Sequence, residues 1–258
     1  MRVRKDAIVD PTIELDRFPG VAGVGASGEF DLAPHARPAA QAVGTAQLDL
    51  GLTRPAVLTR SAMRVKRALD VLAATLGLLA LAPLIAMVAA AIKLEGGGAV
   101  FYRQLRVGHR GTRFEMLKFR TMVPGADAMK EALRTHNEAR GGLFKIADDP
   151  RVTRVGRWLR RSALDELPQL LNILKGEMSL VGPRPLVIEE DERIAGRDRC
   201  RLELKPGMTG PWQILGPTRA SLGQMVAIDY RYVEHWSLWK DLKILLRTVP
   251  HVLGRRGL

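Results

Sequence analysis

The chain has 258 residues, of which 47% are hydrophobic and only 5% aromatic, enough for one large domain or two small ones. Lys and Arg outnumber Asp and Glu by 40 to 27, so the expected partner is an anion: nucleic acid, an acidic membrane surface or a phosphorylated substrate. The single cysteine, Cys200, excludes an internal disulfide and a cysteine metal cage, and it indicates a reducing compartment.

Residues 1–60 are predicted to be a disordered tail. Small and turn-forming residues dominate this segment, and Phe18 and Phe30 are its only aromatic residues. It can bury too little apolar surface to offset the entropy of its chain. Its seven basic and seven acidic side chains cancel, so the whole formal net charge of +13 belongs to residues 61–258, the predicted folded domain.

A long uncharged run follows, about 22 residues from Val71 to Ile92. As a helix it would measure roughly 33 Å, enough to cross a hydrocarbon core of ~30 Å, so a membrane segment is predicted at about 69–92. Pro83 lies near its middle, where it removes one backbone hydrogen bond. Basic residues flank both ends, which favours the cytoplasmic side for each; they are Arg64, Lys66, Arg67, Lys93, Arg103 and Arg106. A re-entrant helical hairpin broken at Pro83 fits both features better than the alternative, a straight span.

From Val100 onward the sequence predicts a compact domain. Two alternating segments, 100–103 and 114–120, flank the glycines Gly108 and Gly111 and predict a short β-hairpin. Helices are predicted over about 126–140, from 162 or 168 to 175, and over about 222–249. In the last helix, Trp beside Lys and Arg suits an amphipathic helix at the membrane interface, although a core-facing helix has the same pattern. The predicted class is therefore α+β, mainly helical.

The densest group of charged residues surrounds two adjacent acids, Asp165 and Glu166. They fall at a predicted helix start, because Pro168 is tolerated only in a first turn. Free amides and the helix dipole at such a start keep a carboxylate ionised and attract phosphate, which Arg160 could also bind. Capping is the alternative: Ser162 with Asp165 matches a capping box, and spacing alone favours this interpretation.

Three further segments offer groups that suit an anion. They are Lys118 and Arg120 after an apolar strand, Arg184 in the rigid loop 181–185, and Thr209 with two glycines in 205–213. Each glycine- or proline-containing loop could equally be a tight turn. The sequence contains no Walker loop, Rossmann fingerprint or zinc-ligand cluster.

Together these segments resemble the bacterial sugar transferase family, the polyprenyl-phosphate glycosyl-1-phosphate transferases of monotopic type. The resemblance runs from about Met63 to Val249 and is greatest to the short, exopolysaccharide-initiating members. Its motifs include Lys66-Arg-Ala-Leu-Asp70, Lys118-Phe-Arg-Thr-Met122, Leu164-Asp-Glu-Leu-Pro-Gln-Leu-Leu-Asn172, Lys175-Gly-Glu-Met-Ser-Leu-Val-Gly-Pro-Arg-Pro185 and Lys205-Pro-Gly-Met-Thr-Gly210.

The resemblance implies a two-step transfer at the cytoplasmic face of the bacterial inner membrane. The family's aspartate, matched by Asp165, attacks the phosphate bonded to the sugar of a UDP-sugar and releases UMP. The phosphosugar then passes to polyprenyl (undecaprenyl) phosphate. The matched glutamate, Glu166, is associated with Mg²⁺. Arg160 matches a phosphate-contact arginine, and Pro83 matches the proline of the family's re-entrant helix.

One loop departs from the family pattern, since Pro217 stands where members often carry an arginine, and Arg219 is the candidate replacement. The predicted phosphate- and substrate-binding residues are Arg160, Lys118, Arg120, Arg184, Thr209, Gln213 and Arg219. Two other classes are considered: a catalytically inactive membrane scaffold of a polysaccharide assembly complex, and a nucleic-acid-binding protein, which the membrane segment disfavours. The sequence leaves open the sugar, the role of residues 1–60 and the oligomeric state, with a homo-oligomer among the alternatives.

Overall fold

The fold is described from a computed structural model over residues 59–129, 132–133, 146, 148–215 and 221–253. All the described residues belong to one compact unit of the chain. The predicted tail therefore lies outside the described residues, apart from its last two, and its disorder stays a prediction. The described start of the predicted helix 126–140 forms turns, and most of the rest of that segment also lies outside them.

Helix α1, Arg60–Gly96, contains the whole predicted membrane segment. It begins at Thr59, whose Oγ1 accepts the amide of Ala62 at 3.3 Å, and ends at Gly97. Among the described residues it is the one helix long and apolar enough to span a membrane. Pro83 lies inside it and the helix continues on both sides, so the predicted re-entrant break is not confirmed.

One face of α1 packs against the rest of the domain along the length of the helix. Near its start it contacts a core cluster around Trp236, in its middle one around Ile173, and towards its end one around Phe119. The opposite face exposes large apolar side chains: Val65, Leu69, Leu72, Leu76, Leu79 and Met87. This face has no protein partner among the described residues, as expected of a candidate membrane anchor.

Two basic residues predicted to flank the membrane segment are instead bound within the domain. Lys66 is buried, and its Nζ lies 2.5 Å from Asp241 Oδ2. Arg67 donates hydrogen bonds to the carbonyls of Ile173 at 2.5 Å and Leu174 at 2.8 Å, where the C-terminal end of a short helix favours a cation. Both charges serve the fold, so they do not report which side of a membrane this helix end occupies.

Strands β1, Phe101–Val107, and β2, Arg113–Phe119, form the predicted antiparallel hairpin. Tyr102 pairs with Lys118, and Arg106 pairs with Phe114. Because side chains alternate along a strand, Tyr102, Gln104, Arg106 and Lys118 share one face of the hairpin.

Short elements complete the domain. The helices are α2 (Arg154–Arg161), α3 (Gln169–Lys175), α4 (Ile188–Asp191), α5 (Pro211–Leu215), α6 (Leu222–Glu234) and α7 (Leu238–Leu253), and strands β3 (Ser179–Val181) and β4 (Gly207–Thr209) pair in parallel. The helical structure predicted over about 222–249 is confirmed in α6 and α7, with one break where the chain leaves the helical conformation between them. There Trp236 is 1% exposed and its Nε1 donates to Asp241. The expected α+β, mainly helical class is confirmed, while the interfacial position of α7 stays a prediction.

Candidate active site

Asp165 and Glu166 lie on a 3-10 turn, Leu164–Glu166, between α2 and α3. The preceding Ala163 has a φ of 54°, a left-handed conformation that is strained for any residue except glycine and recurs at functional sites. The predicted capping box is wrong: Ser162 Oγ donates to the carbonyl of Trp158 at 2.9 Å instead of accepting an amide. The two carboxylates are therefore not explained by helix capping.

Cations from two different elements lie around these acids. Lys118 of β2 lies with its Nζ 2.6 Å from Glu166 Oε1, and the two side chains are 26% and 24% exposed. Arg160, in the last turn of α2, donates from Nε to Thr121 Oγ1 at 2.9 Å. A Cβ at Gly156 would lie 2.1 Å from the carbonyl oxygen of Thr121, so only glycine lets α2 pack this closely on the loop after β2.

The acids differ in their electrostatic surroundings. Burial raises the pKa of Asp165 from its ordinary 3.8 to about 6, against the lowering effect of Lys118, while Glu166 raises this pKa further and Arg160 lowers it. At neutral pH an acid of that pKa is still ionised in about ten molecules for each protonated one. An ionised carboxylate with little solvation is a competent nucleophile, so Asp165 is suited to covalent catalysis.

Two further arginines, Arg106 and Arg184, lie within electrostatic reach of Glu166. Burial lowers the pKa of each, and the negative charge of Glu166 opposes this lowering. Burial and the neighbouring Arg184 lower the pKa of Arg106 to about 10. The Arg184 guanidinium stacks on Trp212, with Cζ 4.2 Å from the ring centroid. Neither arginine has a carboxylate within ion-pair distance in the part of the chain that the structure describes, so no ion pair there neutralises either charge. Arg106 donates hydrogen bonds from Nε and NH2 to Gln104 Oε1 and from NH1 to the carbonyl of Pro185.

Arg106 is the residue that the sequence interpretation missed, since it was counted only as a charge flanking the membrane segment. Strand alternation could have identified it. Tyr102 lies opposite Lys118 in the hairpin, and Arg106 is four positions after Tyr102, so the side chains of Arg106 and Lys118 lie on the same face. The exact register of the strands was needed to use that signal.

The two predicted phosphate loops, 181–185 and 205–213, pack against each other through their glycines. A Cβ at Gly182 would lie 2.2 Å from the carbonyl oxygen of Lys205, and one at Gly210 would lie 2.3 Å from the carbonyl oxygen of Gly182. These contacts leave no room for a side chain and bring Arg184 beside Trp212. The glycines therefore allow the two loops to pack closely together, and Arg184 is the arginine that lies at this contact.

The structure brings together five of the predicted site residues: Asp165, Glu166, Lys118, Arg160 and Arg184. Two others have different partners, since Arg120 donates to the carbonyl of Gly97 and Thr209 Oγ1 lies 2.9 Å from Thr248 Oγ1. Gln213 lies on α5 next to Trp212, and its Oε1 is buried without a hydrogen-bond partner among the described residues. Pro217 and Arg219 lie outside the described residues. Which of these residues bind substrate stays a prediction.

The site offers a partial set of metal ligands. No group of three or more His, Cys, Asp and Glu side chains that could hold a metal occurs within the described ranges. Mg²⁺, however, is often held by only one or two carboxylates together with substrate phosphates. Asp165 and Glu166, adjacent and surrounded by cations that suit phosphate, fit a Mg²⁺ ion shared with a substrate rather than a closed protein cage.

Known proteins share this sequence pattern. A family model described as bacterial sugar transferase matches residues 61–255. The exopolysaccharide production protein ExoY of Sinorhizobium fredii is 46% identical over 196 residues, which cover 74% of this chain and 87% of that protein. The UDP-glucose:undecaprenyl-phosphate glucose-1-phosphate transferase of Caulobacter vibrioides is 45% identical over 196 residues, 73% of this chain and 69% of that protein.

A third relative, the undecaprenyl-phosphate galactose phosphotransferase of Salmonella typhimurium, is 42% identical over 202 residues, 77% of this chain and 42% of that protein. The residues matched by the family model include nearly all of α1, the hairpin and the acidic turn. These matches confirm the resemblance that the motifs indicated: the chain belongs to the bacterial sugar transferase family.

Proposed function

We propose that this enzyme transfers a sugar-1-phosphate from a UDP-sugar to polyprenyl (undecaprenyl) phosphate and releases UMP, the first membrane step of exopolysaccharide or other surface glycan synthesis. The names of two relatives, a glucose-1-phosphate transferase and a galactose phosphotransferase that act on undecaprenyl phosphate, support these substrate classes. The observation that carries the proposal is Asp165, a half-buried carboxylate that is ionised at neutral pH and surrounded by cations.

In the first step, a carboxylate oxygen of Asp165 forms a bond to the phosphorus that carries the sugar. The bond from that phosphorus to the oxygen bridging the two phosphates breaks, and UMP leaves with that oxygen and its electron pair. Lys118, Arg160 and Arg184 are the cations that would offset charge on the phosphate oxygens during this displacement. The sugar phosphate remains on Asp165 as a mixed anhydride.

In the second step, a phosphate oxygen of the lipid attacks the same phosphorus. The bond to Asp165 breaks, the carboxylate is restored, and polyprenyl diphosphate sugar is released. A covalent intermediate divides one difficult displacement into two easier ones. It also lets UMP leave before the lipid acceptor reacts.

Glu166, with Asp165 beside it, would hold Mg²⁺ together with the substrate phosphates. When bound, this ion offsets the negative charge of the phosphates. The ion pair between Glu166 and Lys118 would then open, and Lys118 would bind a phosphate oxygen in place of the carboxylate. The ion pair can open in this way because the side chains of Lys118 and Glu166 are both partly exposed to solvent.

For the membrane, we propose that the domain lies on the cytoplasmic face of the bacterial inner membrane, with α1 entering and leaving the same leaflet. Both ends of α1 are bound to the same domain, since Lys66 pairs with Asp241 and Glu95 Oε1 accepts the amide of Arg154 at 2.7 Å. If α1 crossed the membrane as a straight helix, ~30 Å of hydrocarbon would separate its two ends. The domain, which is bound to both ends, would then have to lie partly inside the membrane. The proposed placement requires a bend, for which Pro83 is the candidate.

The test is a UMP-release assay with the purified protein in nanodiscs, Mg²⁺, undecaprenyl phosphate, and UDP-glucose, UDP-galactose or N-acetylated UDP-sugars in turn. We expect UMP from at least one donor, and lipid-linked sugar only when the lipid is present. Without lipid, UMP release should stop at about one equivalent per enzyme, since each Asp165 is then occupied. Failure of every donor would refute the proposal, whereas complementation of a deletion strain by Asp165→Ala would favour an inactive scaffold.

A further inference from the structure

A fully buried ion pair joins two segments that are not among the motifs that predicted the active site. Arg201, in the 3-10 segment Gly196–Glu203, has its NH2 3.1 Å from Oδ2 of Asp229 in α6, and each side chain is 1% exposed. Asp191 lies further away, with its Oδ1 3.8 Å from NH1 of Arg201. The reaction proposed above uses neither Arg201 nor Asp229.

Both members of this pair bind the main chain of a single residue, Arg184. Asp229 Oδ2 accepts the Arg184 amide at 3.0 Å, and Arg201 NH2 donates to the Arg184 carbonyl. Pro183 and Pro185 have no N–H, so the Arg184 amide is the one main-chain donor of this tripeptide. The ion pair therefore satisfies that donor and the carbonyl of the same residue.

The neighbouring carbonyls are held as well, so the loop is bound at successive residues. Gly207 donates its amide to the Pro183 carbonyl at 2.9 Å, and Arg106 NH1 donates to the Pro185 carbonyl at 2.9 Å. The Arg184 side chain leaves this rigid backbone to stack on Trp212. Its Nε is buried and has no hydrogen-bond partner among the residues that the structure describes.

A contribution to stability is a weak explanation for a buried ion pair of this kind. Replacing a buried ion pair by apolar residues of similar volume is often neutral or stabilising, because desolvation offsets the attraction of the charges. Here Asp229 Oδ1 and Arg201 Nε are also buried without a hydrogen-bond partner in the described part of the chain, which adds to that cost. What apolar side chains could not do is bind the amide and the carbonyl of Arg184.

We propose that Arg201 and Asp229 are positioning residues that hold the backbone of Arg184 so that its guanidinium meets a substrate phosphate beside Glu166. This role rests on the function proposed above. The phosphate could belong to the nucleotide donor or to the lipid acceptor, which present the same chemistry to a guanidinium. Precise placement matters because a displacement of about 1 Å in an active site can cost roughly 10²-fold in rate.

The main test is the charge-free double variant Arg201→Met/Asp229→Leu, compared with Arg184→Ala and with all three substitutions together. We expect a folded protein whose kcat/KM for UMP release falls roughly 10- to 10²-fold. In the Arg184→Ala background the double substitution should add little, because the residue that it positions is gone. Separate KM values for the UDP-sugar and for undecaprenyl phosphate show which phosphate Arg184 binds.

The matched control is Arg199→Gln, which removes a neighbouring, partly exposed ion pair with Asp191 without a contact to Arg184; its kinetics should equal those of the wild type. A folded double variant with wild-type kcat/KM would overturn the positioning role, as would an equal loss in the Arg184→Ala background. Should the double variant not fold, the same cycle is run with Asp229→Asn, and failure to fold there as well would assign the pair to stability and overturn the role. A wild type that releases no UMP overturns both proposals, whereas an active wild type with an unimpaired variant overturns this one alone.

Discussion

Two lysine–carboxylate ion pairs of nearly equal length lie in this domain in different surroundings. The distance from Lys118 Nζ to Glu166 Oε1 is 2.6 Å, and the two side chains are 26% and 24% exposed. The distance from Lys66 Nζ to Asp241 Oδ2 is 2.5 Å, and there the side chains are 6% and 9% exposed. Asp241 also accepts hydrogen bonds from Tyr232 OH at 2.6 Å and from Trp236 Nε1 at 3.2 Å.

Because the two distances are nearly equal, burial is what distinguishes these pairs. The pair at Asp241 is closed to solvent and shared with two aromatic donors, and it joins the start of α1 to α7. The pair at Glu166 has no such additional donors among the described residues and can exchange its partners for a phosphate or a cation. Stability should therefore depend on the first pair and activity on the second.

The largest expected effect is the loss of activity on replacing Asp165, the proposed nucleophile, which lies beside the partly exposed Lys118–Glu166 pair. Asp165→Asn should lower kcat for UMP release by roughly 10⁴-fold or more, because removing a nucleophile abolishes the covalent route. The protein should still fold, since the variant keeps the size of the side chain. The control is Asp198→Asn, an exposed acid in the segment 196–203, which should behave as the wild type. Residual activity above a tenth of the wild type in Asp165→Asn would contradict covalent catalysis.

Next comes the buried pair. Lys66→Met leaves the Asp241 carboxylate buried without its cation, so it should lower the free energy of unfolding by about 3–5 kcal/mol. Lys118→Met removes the partly exposed partner of Glu166 and should change that free energy by less than about 1 kcal/mol. Thermal or denaturant unfolding of the two variants in the same detergent gives the comparison. Equal destabilisation would show that burial does not distinguish the two pairs.

Activity should show the opposite order. Lys118→Met removes a cation aimed at the reacting phosphate and should lower kcat/KM roughly 10²-fold. Lys66→Met, assayed at a temperature at which it remains folded, should keep kcat/KM within about threefold of the wild type, because Lys66 binds Asp241 and the carbonyl of Val181 rather than a side chain of the acidic turn. Steady-state UMP release measures both. Loss of activity in folded Lys66→Met would mean that the anchoring of α1 also shapes the site.

Local features of the fold and the site were predictable from sequence. The hairpin follows from alternation over two short segments, and the acidic turn from Asp165, Glu166 and Pro168 lying within four positions of one another. Features that depend on distant contacts were not. Lys66 is 175 positions from Asp241, and a count of flanking charges cannot show that this lysine is buried. Arg106 similarly depends on the strand register, and the break between α6 and α7 depends on the burial of Trp236.

The pH dependence of kcat/KM tests the electrostatic balance at the exposed pair. With the pKa of Asp165 near 6, kcat/KM should fall about tenfold per pH unit below that value, because only the ionised carboxylate attacks phosphorus. Lys118 lowers this pKa, so the acid limb should move to higher pH in Lys118→Met. An unchanged limb in that variant would show that a different group titrates.

The same shift predicts a stability difference of defined sign. Folding raises the pKa of Asp165 from 3.8 to about 6, so ionisation disfavours the folded state. Asp165→Asn should therefore unfold at a higher temperature than the wild type above about pH 6. The difference in melting temperature between the variant and the wild type should shrink as the pH falls from about 6 to 3.8. Below about pH 3.8 it should vanish, because Asp165 is then protonated in both the folded and the unfolded state. Melting temperatures measured from pH 3.5 to 8 decide the sign.

The smallest expected effect concerns a carboxylate that binds no lysine, at the other end of α1. Glu95 Oε1 accepts the amides of Arg154 at 2.7 Å and Val155 at 3.1 Å, at the N-terminal end of α2, where the helix dipole favours negative charge. Partial burial raises the pKa of Glu95, but hydrogen bonds from Thr153, Val155 and Arg154 outweigh it and lower the pKa below 4.5.

Glu95→Gln keeps an oxygen for these amides and removes only the charge, so it should destabilise the domain by about 0.3–1 kcal/mol. Because the pKa of Glu95 is lowered on folding, its stabilisation is present above about pH 4.5 and is lost as the pH falls through the folded-state pKa. The difference from the wild type should therefore disappear in acid, which serves as the internal control. The free energy of unfolding could instead fall as much in Glu95→Gln as in Lys66→Met. A solvent-exposed contact would then hold this end of α1 as strongly as the buried ion pair holds the other end, and burial would not decide the strength of these contacts.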